Sequence, residues 1–256
     1  MPTIRAAAIL AVFLVVTFIL IPWQWLLLTL GLPARRTFPH RYHRFVAGLF
    51  GIQIRVRGTP PSKATLLLAN HSSWLDIVIF SAVVPLSFIA KSEVGTWPFF
   101  GTLARLQRTV FVTRARRSET GVALGAIAQR LAEGDVLVLF PEGTSNDGNS
   151  VLPFKSALLA AAETVLEDGS KVPVQPVSTA YVARQGIPMG RENRPLYAWY
   201  GDMELVPHLW EALKAGPLDV VVQFHAPLPA MDRKELAKIA WETVRKGQAT
   251  ALAGTL

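Results

Sequence analysis

The chain is predicted to be an α/β protein: a mainly parallel sheet flanked by helices, behind an N-terminal membrane helix or re-entrant helical hairpin. Three observations predict this. Strand-sized runs rich in Val, Ile and Leu lack the apolar–polar alternation of a half-exposed strand, so they read as buried on both faces. Helix-sized segments alternate with those runs, the pattern of a parallel sheet with crossover helices. Residues 6–32 carry no charge at all.

That uncharged segment comes first. As one helix it spans about 40 Å, against a hydrocarbon core of about 30 Å. Pro22 interrupts it and Trp23 and Trp25 follow. Proline breaks or kinks a helix and tryptophan favours the membrane interface, so a helix that enters, turns and returns is the rival to a single span. The run is too long for a cleavable leader and has no small-residue cleavage site before Arg35-Arg36. Residues 38–50 are basic and partly amphipathic, with Phe38, Tyr42, Phe45, Val46, Leu49 and Phe50 set against Arg41, His43 and Arg44. They suit either a bilayer surface or packing on the domain. Strands are expected at 52–56, 65–69, 86–90, 109–112, 136–140, 172–180 and 218–224. Helices are expected at 74–83, 118–132, 154–166, 206–215 and 232–247. No repeat or Pro/Ser-rich linker divides this region. The organisation read from the sequence is an anchor over residues 1–34, a basic membrane-proximal segment over 35–58 and one catalytic domain over 59–256.

Charge placement narrows the partners. The 256 residues include 26 basic and 18 acidic side chains, a net of +8, with 51% hydrophobic residues. The first acidic residue is Asp76, and eight basic residues precede it. The remaining 18 basic residues balance the 18 acidic ones, so all the excess charge lies beside the apolar segment. That arrangement fits anionic phospholipid head groups and argues against nucleic acid. The chain has no cysteine, which excludes disulfides, thiolate metal sites and a cysteine nucleophile.

Two short segments carry the chemistry. Asn70-His71-Ser72-Ser73-Trp74-Leu75-Asp76 follows the predicted strand 65–69, and catalytic groups gather at such carboxyl ends in open α/β sheets. His71 and Asp76 would point about 140° apart on one regular helix. They meet only if His71 sits in a turn before the helix and Asp76 in its first turns. Asp76 can then accept from one imidazole nitrogen and leave the other free as a base. Ser72 or Ser73 is a candidate helix cap. Phe140-Pro141-Glu142-Gly143-Thr144-Ser145 follows the strand 136–140 and should emerge at the same edge. Gly143 permits a positive φ or close backbone approach, and turn amides with the Thr144 hydroxyl can hold a phosphate or an oxyanion. A plain turn would explain the Gly, Ser, Asn and Asp residues, but not the charged Glu142 beside a buried strand. Arg114, after Val110-Phe111-Val112-Thr113, is a candidate phosphate contact because a guanidinium grips phosphate through two parallel bonds. Lys91, after strand 86–90, is a weaker one. There is no Gly-x-Ser-x-Gly nucleophile elbow, P-loop or His/Cys metal cluster.

These blocks resemble those of the glycerolipid acyltransferases, and most of all the 1-acylglycerol-3-phosphate (lysophosphatidic acid) acyltransferase family. Asn70–Asp76 is similar to the family's His-x4-Asp block and residues 140–144 to its Phe-Pro-Glu-Gly-Thr block. Residues 110–114 resemble its arginine block, with Thr113 where Asp is more usual. Residues 172–177 resemble its Val-Pro-Val-x-Pro block. The four blocks stand in the family's order over roughly residues 60–180. The resemblance implies His71 as general base, Asp76 orienting it, and Arg114, Glu142, Gly143 and Thr144 positioning the acceptor. It implies no bound cofactor or metal, and an acyl thioester of coenzyme A or acyl carrier protein as co-substrate. The implied reaction is transfer to the sn-2 hydroxyl of lysophosphatidic acid, giving phosphatidic acid, at the cytoplasmic face of the inner membrane bilayer. The resemblance extends to acyltransferases that make ornithine lipids, so lyso-ornithine lipid is the alternative acceptor. A non-catalytic lipid-binding protein of the same fold is a further alternative.

Overall fold

Five consecutive residues, Thr65–Ala69, are buried without exception, and the sheet extends outward on both sides of them. The computed structural model describes residues 1–112, 117–165 and 169–254. Its strands are β1 (Ile52–Arg57), β2 (Thr65–Ala69), β3 (Ser87–Lys91), β4 (Val110–Val112), β5 (Val136–Leu139), β6 (Val174–Arg184), β7 (Ile187–Pro188) and β8 (Leu218–Phe224). Its helices are α1 (Pro2–Thr29), α2 (Ala34–Phe50), α3 (Leu75–Val83), α4 (Phe100–Leu106), α5 (Arg117–Ala132), α6 (Leu205–Ala215) and α7 (Arg233–Leu252). The sheet order is β1-β8-β6-β2-β5-β3-β4, with the short β7 antiparallel on β6. From β6 through β4 every pairing is parallel. β8 pairs antiparallel with β6 and parallel with β1. The expected α/β architecture is therefore present, mainly parallel and flanked by helices.

Alternate residues of β2 feed different cores. Leu67 and Ala69 pack with α2, α3 and α6, through Val46, Phe50, Ile79, Phe80 and Leu209. Leu66 and Leu68 pack on the other side with Leu131 of α5 and Ala240 and Val244 of α7. This is why the inner strands β2 and β5 carry no polar face. Two elements depart from the expected pattern for identifiable reasons. Where the sequence predicts a helix over 154–166, the structure has a 3-10 segment, Ser156–Glu163, with no side-chain cap on its first turn. α7 continues to Leu252 past Gly247, which the sequence suggested as a stop. A Cβ at Gly247 would overlap Ser178 Oγ and the His225 ring, so the glycine admits a close crossing of α7 over β6.

α1 is one unbroken 28-residue helix that runs through Pro22, and the chain reverses after it, into α2. Its two mid-helix polar side chains turn inward. The Thr17 hydroxyl lies 2.7 Å from that of Tyr42, and Gln24 Nε2 donates to the carbonyls of Arg35 and Leu106. The outward face is apolar, with Val15, Phe18, Ile19, Trp23 and Trp25 exposed. This inverts the pattern of a soluble surface helix. By length and composition α1 suffices to cross a membrane. Both ends are fastened to the rest of the chain. Arg5 donates to the Leu213 carbonyl of α6, while Arg36 at the start of α2 donates to the Glu133 carbonyl and pairs with Asp135. Asp135 also pairs with Arg108 and Arg130.

Candidate active site

β2 and β5 are parallel neighbours, so their carboxyl ends open at one edge of the sheet. The turn after β2 carries His71 and the turn after β5 carries Glu142. Asn70 ends β2 as a substitute ladder rung: its amide donates to the Thr179 carbonyl and accepts from the Thr179 N–H of β6. His71 then sits before α3 and Asp76 within that helix's first turn. The two meet, His71 Nδ1 to Asp76 Oδ2, at 2.8 Å. The same carboxylate oxygen accepts the backbone N–H groups of Ser72 and Ser73. Helix and turn are thus joined by Asp76 reaching back. Contrary to the expectation from sequence, neither serine side chain caps α3. Asp76 Oδ1 accepts from the Tyr181 hydroxyl at 2.7 Å, and Asp76 is fully buried.

His71 keeps 19% of its side chain exposed, and its Nε2 has no hydrogen bond among the described residues. Its ring is stacked on Phe140, with centroids 4.1 Å apart. Phe140 in turn stacks on Phe88 at 6.2 Å. The imidazole is therefore held by a bond at Nδ1 and a flat apolar surface, with Nε2 left to face a reactant. A partly exposed base oriented by a carboxylate is the arrangement for removing a proton from a hydroxyl.

Glu142 is 1% exposed, and both its oxygens are engaged within the protein. Oε1 accepts the His71 backbone N–H at 2.7 Å, and Oε2 accepts from Asn146 Nδ2 and the Leu152 N–H. Its side chain therefore ties the two turns together behind His71. Burial pushes its carboxyl up to about 7, opposed by those three donors. Gly143 adopts φ 74°, as a turn glycine can, and Thr144 is exposed beside it. Lys91 is exposed at the end of β3, in register with Val112. Arg114 lies outside the described residues. Among the described residues no three His, Cys, Asp or Glu side chains form a group able to hold a metal.

Beside the site lies an apolar cavity of about 220 Å³. Phe13 and Leu20 of α1, Tyr42 of α2, Leu103 of α4, and Trp74 and Phe88 near the catalytic turn contribute to its wall. Trp74 is fixed by its indole N–H, which donates to His208 Nδ1. The segment 197–204 packs on the catalytic turn: Trp199 donates its backbone N–H to the Ser72 carbonyl. Three contributors escaped sequence reasoning, namely Phe140 as the stacking partner, Tyr181 as a donor to Asp76 and Trp199. Only the spacing within the His-x4-Asp segment is a local signal. The others act across strands.

Fold and site together define an acyltransferase. A family model described as Acyltransferase matches residues 53–180, half of the chain. A lyso-ornithine lipid O-acyltransferase of Brucella abortus is 48% identical over 98% of this chain and 97% of its own length. Another of that name from Rhizobium meliloti is 41% identical over 98% of this chain and 88% of its own. A 1-acyl-sn-glycerol-3-phosphate acyltransferase of Neisseria meningitidis is 34% identical over 68% of this chain and 64% of its own. In structure, the chain is similar to the 1-acyl-sn-glycerophosphate acyltransferase PlsC of Thermotoga maritima, with TM-score 0.67, 24% identity and 98% of both chains covered. That likeness concerns the fold. The chain belongs to the acyltransferase family.

Proposed function

We propose that this protein transfers a fatty acyl group from a thioester to the hydroxyl of lyso-ornithine lipid, with His71 as the general base. The single observation that carries the acceptor is the likeness over nearly the full chain to relatives of that name. The relatives named for lysophosphatidic acid match over a shorter stretch. Lysophosphatidic acid is the second reading, favoured by the four sequence blocks and by the relatives of that name.

In this reading His71 Nε2 removes the proton of the acceptor hydroxyl. The oxygen attacks the thioester carbonyl, the tetrahedral intermediate collapses, and the C–S bond breaks. The departing sulfur takes the proton back from His71. Asp76 fixes the tautomer with the proton on Nδ1 and balances the imidazolium that forms in between. The cavity walled by α1, α2 and α4 is the place for the acyl chain, since it is apolar and reaches Trp74. Glu142 acts by holding the His71 backbone, while Gly143, Thr144, Lys91 and Arg114 are the proposed head-group contacts. The donor is a coenzyme A or acyl carrier protein thioester. The outward apolar face of α1 and the basic N-terminal third support residence on a bilayer, with the catalytic domain on the cytoplasmic side of the inner membrane.

The test uses detergent-solubilised protein and a labelled acyl thioester, with lyso-ornithine lipid and lysophosphatidic acid offered in parallel and His71→Ala as control. Acylated ornithine lipid formed by the wild type alone is the expected result. Product from lysophosphatidic acid alone would reassign the acceptor, and full turnover by His71→Ala would overturn the base.

A further inference from the structure

β6 outruns its neighbour β2. Their register pairs Ala69 with Val177, so residues beyond Val177 pass alongside the turn that holds His71. Along a strand, alternate residues share a face. Val177 and Tyr181 both belong to the core on the α3 side, and that parity aims the Tyr181 ring at the first turn of α3. Tyr181 is 2% exposed, and its hydroxyl ends 2.7 Å from Asp76 Oδ1.

The two oxygens of Asp76 are unequally served. Oδ2 accepts three N–H groups, from His71 Nδ1, Ser72 and Ser73. Oδ1 has one hydrogen-bond donor among the described residues, the Tyr181 hydroxyl. Asp76 is 0% exposed, so no bulk water substitutes for it. A buried carboxylate oxygen that loses its only donor keeps more of its charge unscreened. That charge acts on the one cation the site creates, the protonated His71.

We propose that Tyr181 is a positioning residue for acyl transfer: by donating to Asp76 Oδ1 it sets how tightly the Asp76–His71 pair holds a proton. The proposal rests on His71 serving as the base. The groups facing that pair are few. From α3 comes Asp76 itself, and from β6 Tyr181. From the turn after β5 comes Glu142, which accepts the His71 backbone N–H. Phe140 covers the ring without charge. Ser73 places its hydroxyl near the Tyr181 phenol. The phenol remains protonated, as burial and the adjacent Asp76 raise it well above the usual tyrosine range. It is therefore a fixed donor throughout the working pH range.

Direction follows from the charge. Without the donor the pair binds its proton more tightly, so a higher pH is needed to free the base. The experiment compares pH profiles of kcat/KM for wild type, Tyr181→Phe and a variant with 3-fluorotyrosine at position 181. Tyr181→Phe is expected to lower kcat roughly tenfold and to move the acid limb up by about half to one pH unit, with the thioester KM little changed. The fluorinated ring has the same shape and a more acidic hydroxyl, so it is expected to move the acid limb down. A Tyr181→Phe profile superimposable on wild type overturns the proposal. If that variant does not fold, an unshifted or upward limb for the fluorinated protein overturns it instead. His71→Ala run beside them separates the two claims. Turnover in that variant removes the base and the proposal with it, whereas an inactive His71→Ala beside an unshifted Tyr181→Phe removes the proposal alone.

Discussion

The ring of Phe140 lies flat against the imidazole of His71, 15° from parallel. Phe140 is the residue just before the Pro141-Glu142 turn, so the second sequence block supports the first in two ways: by stacking on the ring and by accepting the backbone N–H through Glu142. Phe140→Leu retains apolar bulk but loses the flat surface. Its kcat should fall about three- to tenfold, the equivalent of one aromatic contact. Steady-state kinetics at saturating thioester would show it, with the melting temperature as a check on folding.

Asp76→Asn is expected to cost far more. The amide can keep its oxygen on the Ser72 and Ser73 N–H groups and His71 Nδ1 and turn its Nδ2 to the Tyr181 hydroxyl, but it carries no negative charge. The charge that balances the imidazolium is then lost. A fall in kcat on the order of 10³-fold is expected, by the logic of a carboxylate that orients a catalytic histidine. A variant within tenfold of wild type would remove Asp76 from the mechanism.

Glu142 gives stability a pH dependence of definite sign. Burial raises its carboxyl from the ordinary 4.5 to about 7. Between those values the folded protein binds more protons than the unfolded chain. The contribution of this group is therefore full below about pH 4.5 and is lost as pH rises through about 7. Glu142→Gln does not titrate. The melting temperature of the wild type relative to that variant should fall across this window and flatten above it, as a thermal shift series would show.

Ala104 of α4 lines the apolar cavity. Ala104→Phe should fill much of it, since the added ring is a large part of about 220 Å³. Turnover with long-chain thioesters is expected to fall while short-chain turnover persists. An unchanged chain-length profile would place the acyl chain elsewhere.

The outward face of α1 allows a test that leaves the fold intact. Ile19, Trp23 and Trp25 are exposed and belong to no core cluster, so replacing them with serine leaves the packing in place. Binding to anionic vesicles should weaken by roughly tenfold or more, given the apolar area withdrawn from lipid. Flotation with liposomes measures it.

The central sheet was legible because burial on both faces leaves an unmistakable composition, and residues 65–69 match β2 end to end. The His71–Asp76 geometry was legible because five residues force a strand–turn–helix solution. α4 was not, since it is short, contains Gly101 and follows Pro98. Tyr181 was not either. Its partner is 105 residues away, and only the register of β6 beyond β2 brings the two together. Glu142 was visible as an anomaly, a charge beside a buried strand. What its oxygens bind depends on Leu152 and Asn146, which no local pattern identifies.

Arg5 and Arg36 pin opposite ends of the α1–α2 hairpin to the body of the protein. Ties at both ends hold the greasy face of the helix in a set place relative to the His71 imidazole. On a bilayer, the height of the base above the acyl layer is then settled at folding and not at each encounter. Lyso-lipid would reach it by lateral drift within the leaflet. Turnover should accordingly follow the mole fraction of acceptor in the surface, and diluting that surface with inert lipid should slow the enzyme even when bulk acceptor concentration is held constant.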